Sequence, residues 1–387
     1  MNPYSFRTPL SFRMYISVRV YFFTLITSTV LTFLGILYFC HFATLFGNMA
    51  AIPESRYLRY PPRINMSECP LYFGKVSVFV AYTPSIRSEF GVAQNSLDCY
   101  LKSTNYTKFM VDLDNDPRVN KSCWMHKSKH CAASIFVKDT DWMLVLDADT
   151  GVVNPNHCIE EWIDNRVDIL FYERMFNFEI AAGNYLVKNS AWAIKFLQDW
   201  AGHEFTQSKK WHAHDQGGLM MNILKSLMPE AVHEQKQCAS YWRNATNYAT
   251  YMASVICVRL ALGSKRIWPG KIRLYRRAHA WVRDRWMTYD KWCDQDFMFH
   301  GWQEGSISKL DISPFHSDID PNNCGVGYQG WTWNMSMRKS TREIRELVRL
   351  ADITYRKTFP SEARVIPFID APILAECYPH CESVSPT

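Results

Sequence analysis

Residues 141–150 read DWMLVLDADT and join a short apolar run to two carboxylates. The apolar run, residues 143–146, contains a β-branched residue and is typical of a strand buried in a parallel sheet. Asp147 and Asp149 follow at once, where such a strand gives way to a loop. Ligands of open α/β sheets bind at this carboxyl edge, and paired carboxylates there can hold a hard cation, which can hold a diphosphate.

A solvated acidic turn is the alternative interpretation of these two carboxylates. The apolar strand before them and residues 150–155 (TGVVNP) after them favour a functional motif instead. We therefore predict a site for a metal ion and a nucleotide sugar at this edge.

The chain has 387 residues, enough for one large α/β domain or two smaller ones with an ample core. Its net charge of +6 is spread along the chain, and no Lys/Arg block forms a nucleic-acid motif. We therefore expect no nucleic-acid partner. The aromatic content of 15% fits sugar-binding surfaces, but cores and interfaces use aromatic residues as well.

The N-terminal region contains a candidate membrane segment. Residues 20–40 carry no charged side chain, and such a run is long enough to cross a bilayer as a helix. Arg7, Arg13 and Arg19 precede it without any acidic residue, which predicts a signal anchor with a cytoplasmic tail and a luminal remainder. A cleaved signal peptide is the alternative, but its apolar region would be unusually long.

The anchor and the composition after it divide the chain into five predicted segments. They are a cytoplasmic tail (1–19), a transmembrane signal anchor (20–46), a luminal stem with several Pro and Arg (47–70), a main α/β domain (71–330) and a C-terminal helix with an extended tail (331–387). Ser340 and Glu343 form a capping box at the head of that helix, which we expect to reach Phe359.

Cysteine usage agrees with a luminal location. The 12 cysteines are scattered without C-x-x-C pairs, which argues against zinc and for several disulfides in an oxidising compartment. Cys40 lies in the anchor and eleven lie beyond it, so at least one thiol is free or pairs between chains, and the connectivity stays open. Acceptors for N-glycosylation lie on the same predicted side, at Asn65, Asn105, Asn120, Asn244 and Asn334.

Strand and helix patterns alternate along the main domain. Ahead of the acidic motif we predict strands at 75–82, 106–113 and 143–146, with helices at 88–102 and 124–137. After it we predict a helix at 159–165, a strand at 167–172, a strand–turn–strand about Gly183 in 179–187, and helices at 190–203 and 219–227. This alternation predicts a mixed, mostly parallel sheet flanked by helices.

Four blocks of sequence carry a family resemblance: residues 141–155, residues 182–190 (AGNYLVKNS), residues 196–200 (FLQDW) and the pair Asp215-Gln216. In order and spacing they resemble the galactosyltransferase/mannosyltransferase family of fungal Golgi enzymes, which includes the plant xyloglucan xylosyltransferases. The chain looks closer still to an uncharacterised, nematode-expanded relative of that family. The resemblance covers roughly residues 75–302. It implies a GT-A fold, a nucleotide-diphospho-sugar donor, a manganese (or magnesium) ion and retention of anomeric configuration.

The resemblance also implies a set of metal ligands. Asp147 and Asp149 match the family's metal and diphosphate carboxylates, and His300, after an apolar strand and before Gly301, matches its third ligand. An imidazole ligand favours Mn²⁺ over Mg²⁺. An ordinary hydrogen-bonded histidine at a strand end is the alternative for His300. Relatives often have a lysine just beyond, whereas this chain continues with QEG, and Lys309 is the nearest candidate.

Two further blocks match residues around the donor sugar, where Gly301 is also placed. Gly183 and Asn184 match a turn beside that sugar, and a glycine lets backbone approach a ligand closely; an ordinary hairpin glycine is the alternative. Asp215 and Gln216 match the pair under the transferred sugar. Asp215 suits a nucleophile and Gln216 suits a polar group that stabilises an oxocarbenium-like centre. The alternative for Asp215 is a cap of the helix that begins near Gly217.

Position alone adds three candidates for donor binding. Tyr82 and Thr83 end the first strand, at the sheet edge where a nucleotide base would lie. Lys129 precedes the metal strand on a predicted helix and can reach a phosphate, with a solvated surface lysine as the alternative.

The sequence thus predicts an enzyme, a metal-dependent glycosyltransferase that transfers a hexose or pentose from a nucleotide-diphospho-sugar to a hydroxyl of a glycan or glycoprotein. We expect a single-pass type II membrane protein of the Golgi or endoplasmic reticulum, with its catalytic domain in the lumen. A second copy of the chain, disulfide-linked or non-covalent, is a further candidate partner. The alternatives are a non-catalytic glycan-binding or scaffold protein of the same fold, and a metal-dependent hydrolase of a sugar nucleotide.

Overall fold

The computed structural model describes Cys69 and residues 72–125, 128–174, 176–203, 210–211, 213–304, 313–325 and 327–360. All of them belong to one compact unit, Arg63–Thr387. The predicted tail, anchor and most of the stem lie outside the described residues, as do Asn65, Lys309 and the extended C-terminal tail beyond residue 360. Within the described residues, no helix has the length and apolar character needed to cross a bilayer.

Ten strands are assigned in the described part of the chain. In chain order they are β1 (Val76–Tyr82), β2 (Thr107–Asp112), β3 (Trp142–Leu146), β4 (Thr150–Val152), β5 (Ile169–Tyr172), β6 (Tyr185–Lys188), β7 (Ile267–Trp268), β8 (Ile272–Tyr275), β9 (Val282–Asp284) and β10 (Met298–His300). Seven form a central sheet in the order β2-β1-β3-β6-β5-β8-β7, and β4-β10-β9 form a small second sheet. In the central sheet only β6 and β7 run against the other five strands. The predicted mixed, mostly parallel sheet is confirmed.

Helices cover both faces of the central sheet. The α-helices of the described residues are α1 (Gly91–Lys102), α2 (Pro117–Ser122), α3 (Lys129–Phe136), α4 (Ala191–His203), α5 (His214–Leu227), α6 (Val232–Asn244), α7 (Tyr248–Leu262) and α8 (Thr341–Thr358). One apolar core joins α3 to α7 to one face, and a second core joins α1 to the opposite face.

Strand β3 is buried on both faces because its side chains alternate between these two cores. Met143 and Val145 lie in the core with α3 to α7, whereas Leu144 and Leu146 lie in the core with α1. A strand without a polar face is stable only inside a covered sheet. Its carboxyl end therefore places Asp147 in the middle of one sheet edge.

Several predicted elements differ in extent from those in the structure. The helix predicted at 124–137 begins only at Lys129, because the Ser128 side chain caps it there. The helix predicted at 88–102 begins only at Gly91, because Pro84–Phe90 form a 3₁₀ helix ahead of it. Of the helix predicted at 159–165, only Ile159–Trp162 are helical, as a 3₁₀ turn. The predicted helix at 219–227 begins earlier, at His214. The capping box of Ser340 and Glu343 is confirmed at the start of α8.

The strand–turn–strand predicted about Gly183 is only half present. Strand β6 forms after the glycine, but before it Ile180 makes a single bridge, to Glu173. Side-chain hydrogen bonds, rather than the backbone hydrogen bonds of a strand pair, hold this preceding segment. The buried Glu179 carboxylate accepts hydrogen bonds from Asn177 and from the hydroxyl of Tyr251.

Disulfides confirm the prediction of an oxidised cysteine set. Among the described cysteines the bonded pairs are Cys69–Cys158, Cys99–Cys324, Cys123–Cys131 and Cys238–Cys257. Cys293 is buried, and Cys377 and Cys381 lie outside the described residues. The Cys99–Cys324 bond connects α1 with a segment far along the chain, so the covalent loop that it closes contains most of the domain.

We predict that replacing Cys99 and Cys324 together by alanine lowers the free energy of unfolding by about 2–5 kcal/mol, because this bond spans 225 residues and restricts the unfolded chain. Replacing Cys238 and Cys257, which span 19 residues, should cost less. Denaturant unfolding of both double variants without reductant measures the two losses in free energy of unfolding. A larger loss for the Cys238/Cys257 variant would contradict this prediction.

Candidate metal centre

Two strands of the small sheet bring the acidic motif and His300 together. The chain turns through Asp147 and Asp149 from β3 into β4, and β4 pairs antiparallel with β10. In that register Thr150 lies opposite His300. The histidine therefore faces the residue next to the motif, although half of the domain's sequence separates them.

The turn after β10 fastens this arrangement. The backbone carbonyl of Asp149 accepts hydrogen bonds from the N–H groups of Gly301 (3.1 Å) and Trp302 (2.9 Å). Gly301 has φ of +99°, and a Cβ there would lie 2.7 Å from Cζ3 of Trp286. Gly301, which we predicted to contact the donor, lies where it shapes the backbone beside the candidate metal ligands.

Asp147, Asp149 and His300 present three ligand atoms within 4.8 Å of one another. Nε2 of His300 lies 3.6 Å from Oδ2 of Asp147 and 3.4 Å from Oδ1 of Asp149. Their side chains are 32%, 11% and 18% exposed, so the group opens to solvent on one side. Carboxylate oxygens with one imidazole nitrogen fit a divalent cation, and the nitrogen favours Mn²⁺ over Mg²⁺.

Asp284, which the sequence analysis did not identify, orients His300. Strand β9 pairs with β10 and places Asp284 opposite His300. Because a carboxylate only accepts hydrogen bonds, Nδ1–H of His300 donates to Oδ1 of Asp284, at 2.8 Å. Nε2 then faces the two carboxylates, so that once it loses its proton its lone pair has the orientation that a metal ligand needs.

The electrostatics of the group favour a cation. Burial lowers the pKa of His300, but Asp149, Asp147 and Asp284 outweigh it and raise that pKa to about 10. Burial raises the pKa of Asp147, but Lys129 and His300 outweigh it and hold that pKa well below its usual range. A cation that binds must displace the His300 proton, so its affinity rises with pH.

Asn184 and Gly183 hold the acidic loop in place. Oδ1 of Asn184 accepts hydrogen bonds from the Asp147 N–H and the Thr150 hydroxyl, both at 3.0 Å. Gly183 approaches so closely that a Cβ there would lie 1.9 Å from Oδ2 of Asp147. An ordinary hairpin glycine does not account for this contact. Both residues lie at the predicted site, and each contacts the motif itself.

Lys129 connects Asp147, a candidate metal ligand, with Asp215. Its Nζ donates to Oδ1 of Asp147 at 2.5 Å and to the carbonyl of Gly183 at 3.1 Å, and lies 3.6 Å from Oδ2 of Asp215. Burial lowers its pKa, but Asp147 and Asp215 outweigh this and raise it. The alternative of a solvated surface lysine is wrong, since the side chain is only 12% exposed.

Asp215 and Gln216 lie side by side but make different contacts. Asp215 stands inside the first turn of α5, after the N-cap Ala213, so the capping alternative is wrong. Its Oδ2 accepts a hydrogen bond from Nε2 of His130 at 3.0 Å. Gln216 bonds the backbone of Ala182 and Ile180, and so holds the segment that leads to Gly183. Of the pair, Asp215 is the one within reach of Lys129.

Two further predicted residues lie at the same edge of the central sheet. Tyr82 ends β1, which pairs with β3, Thr83 follows it, and both are half-buried. Gln303, which we did not predict to lie at this site, donates to Oδ2 of Asp149 at 3.3 Å. The glycosylation acceptors Asn105, Asn120 and Asn244 are exposed and Asn334 is half-buried; their modification stays a prediction.

We predict that Gly183→Ala displaces the Asp147 carboxylate and weakens Mn²⁺ binding at least tenfold, because the new Cβ would occupy the place of Oδ2. The matched control is Gly202→Ala in α4, where a Cβ meets nothing within 4 Å and helix propensity favours alanine by about 1 kcal/mol. Isothermal titration with Mn²⁺ measures both variants. Equal affinities would contradict the placement of Gly183.

A second prediction concerns Asp284→Ala. The truncation removes the acceptor that fixes the His300 ring, so Mn²⁺ affinity should fall by about 10- to 100-fold while the fold is kept. Titration with Mn²⁺ and a far-UV spectrum test this together. Unchanged affinity in a folded variant would show that Asp284 does not orient a ligand.

The chain is similar to several solved structures and matches one family model. Among solved structures it is similar to a glycosyltransferase involved in the glycosylation of the major capsid of PBCV-1, with 11% identity and a TM-score of 0.34 over 61% of this chain and 99% of that one. It is also similar to the glycosyltransferase GlyE of Streptococcus pneumoniae TIGR4, with 16% identity and a TM-score of 0.28 over 38% of this chain and 43% of that one.

A third similar structure is the bifunctional glycosyltransferase WbbM, with 11% identity and a TM-score of 0.25 over 41% of this chain and 38% of that one. The chain spans less than half the length of GlyE and of WbbM. These TM-scores are too low to bear on function. No curated protein matches significantly. The family model described as "Protein of unknown function, DUF273" matches residues 97–315, and the chain belongs to that family.

Proposed function

We propose that this protein is a metal-dependent glycosyltransferase that transfers a hexose or pentose from a UDP- or GDP-sugar to a hydroxyl of a glycan or glycoprotein, with retention of configuration. The observation that carries the proposal is the convergence of Asp147, Asp149 and His300 at the carboxyl edge of a mostly parallel sheet. That edge is where α/β folds bind ligands. The sequence resemblance of the blocks at 141–155, 182–190 and 215–216 supports the same activity.

The charged residues at this edge of the sheet would bind the metal ion and balance its charge. Asp147, Asp149 and His300 would hold Mn²⁺, which when bound supplies positive charge against the donor diphosphate. Asp284 would keep the His300 ring oriented so that Nε2 could bind the ion. Lys129 would balance negative charge between the metal ligands and the sugar, since its ammonium lies between Asp147 and Asp215.

Asp215 would face the transferred sugar. Its carboxylate lies across Lys129 from the metal ligands, and a negative charge there stabilises the positive charge that develops at the anomeric carbon. The bond from that carbon to the diphosphate oxygen breaks and a bond to the acceptor hydroxyl oxygen forms on the same face. The hydroxyl proton passes to the departing diphosphate. Gln216, bonded to backbone, would position rather than react.

The cellular setting is part of the proposal. A single-pass type II protein of the Golgi or endoplasmic reticulum would place this domain in the lumen. The disulfides of the described chain support an oxidising compartment, and the exposed acceptors at Asn105, Asn120 and Asn244 agree with it.

We predict that the full-length chain, purified in detergent from a eukaryotic host, is stabilised by one nucleotide or its sugar conjugate only when Mn²⁺ is present. The screen comprises UDP, GDP and their galactose, glucose, xylose and mannose conjugates, each with Mn²⁺ and with chelator. A ligand at roughly 100 times its Kd raises stability by about 3 kcal/mol, which a thermal-shift assay resolves.

The matched pair of variants is Asp149→Asn at the metal ligands and Asp199→Asn on the exposed face of α4. Only the first should abolish the manganese-dependent shift. Nucleotide release that rises on addition of a glycan acceptor distinguishes a transferase from a hydrolase. A folded chain that responds to none of these ligands would contradict the proposal and favour a glycan-binding or scaffold protein.

A further inference from the structure

A line of three side chains runs from the sheet interior to the candidate site. Nδ1 of His130 lies 3.1 Å from the hydroxyl of Tyr185, and its Nε2 lies 3.0 Å from Oδ2 of Asp215. His130 stands on α3, Tyr185 on β6 and Asp215 on α5. Three separate elements thus meet at one imidazole ring.

The chemistry of these groups fixes the direction of both hydrogen bonds. A carboxylate only accepts, so Nε2–H of His130 donates to Asp215. Burial lowers the pKa of His130 to about 4, despite the raising effect of Asp215, so the ring is neutral and carries a single N–H. Its Nδ1 therefore accepts the hydrogen bond of the Tyr185 hydroxyl. The charged groups that face the ring are Asp215, Lys129 and Asp147.

The ring has little freedom to turn. His130 is 1% exposed and stacks on the indole of Trp200, with ring centroids 3.3 Å apart and planes 17° apart. The same indole donates from Nε1 to the backbone carbonyl of Asp215 at 2.9 Å. Trp200 thus fixes both partners of the His130–Asp215 hydrogen bond.

We infer that His130, held by Tyr185 and Trp200, is a positioning residue that sets the direction of the Asp215 carboxylate toward the transferred sugar. Oδ2 of Asp215 is committed to His130 and lies near Lys129, so Oδ1 is the oxygen assigned to the anomeric centre. A carboxylate that is already oriented before the sugar binds stabilises developing positive charge without further reorganisation.

This inference rests on the proposed function, and its consequence differs from that of a merely structural histidine. A positioning role predicts that loss of the Nε2–H bond lowers kcat and leaves the KM for the donor and the dependence on Mn²⁺ unchanged. A packing role predicts that a ring of similar shape is tolerated, with kcat and KM both unchanged. His130→Phe tests the difference, because the phenyl ring keeps the stacking on Trp200 and removes both hydrogen bonds.

We expect kcat of the full-length His130→Phe chain to fall by about 10- to 100-fold, the loss typical of one hydrogen bond to a charged group. His130→Gln, whose side-chain amide can donate from about the position of Nε2, should recover much of the loss. The control is His203→Gln at the end of α4, a histidine whose pKa burial also lowers to about 4 and which lies outside the line; its kcat should be unchanged.

A spectroscopic measurement does not depend on turnover. In ¹⁵N-histidine-labelled protein, the His130 ring should show the neutral Nε2–H tautomer at pH 7, and Tyr185→Phe should shift its Nδ1 resonance. An Nδ1–H tautomer, or unchanged kcat in folded His130→Phe, would overturn the inference while the glycosyltransferase proposal stands. Absence of any nucleotide-sugar turnover in the unmodified chain would overturn that proposal and the inference with it.

Discussion

The antiparallel pairing of β4 with β10 is the constraint on which the candidate site depends. It places His300 opposite Thr150, beside the two carboxylates that follow β3, and the backbone N–H groups of Gly301 and Trp302 then fasten the carbonyl of Asp149. Strand β3 can supply those carboxylates at the sheet edge because both of its faces are buried in apolar cores. The local sequence therefore determines the strand, whereas a long-range strand pairing brings His300 to Asp147 and Asp149.

Negative charge accumulates at this edge and is balanced by a few fixed cationic groups. Four carboxylates surround it, those of Asp147, Asp149, Asp215 and Asp284, while Lys129 lies between Asp147 and Asp215. Concentrated like charge is costly unless a cation or a protonated group offsets it. The same negative charge raises the pKa of His300 and the pKa of Lys129, and a divalent cation would offset it. The fold and the charge of this edge therefore both favour a divalent cation.

Sequence reasoning identified the parts of the site that local pattern encodes. Ten consecutive residues show an apolar strand that ends in two carboxylates, and four consecutive residues show the capping box of α8. His300 could be named only through resemblance, because its partner strand is far away in sequence. The contacts of Asp284, Tyr185 and His130 could not be predicted from local sequence, since they join residues 16, 55 and 85 positions apart. The late start of α3 was missed because the side-chain cap from Ser128 outweighs the apolar pattern before it.

The most direct test is anomalous diffraction at the manganese edge from crystals of the protein soaked with Mn²⁺ and the nucleoside diphosphate that stabilises it. The account predicts one strong peak within bonding distance of Asp147, Asp149 and Nε2 of His300, with diphosphate oxygens completing its coordination. Manganese bound elsewhere, or no ordered ion beside these residues in crystals that hold the nucleotide, would contradict it.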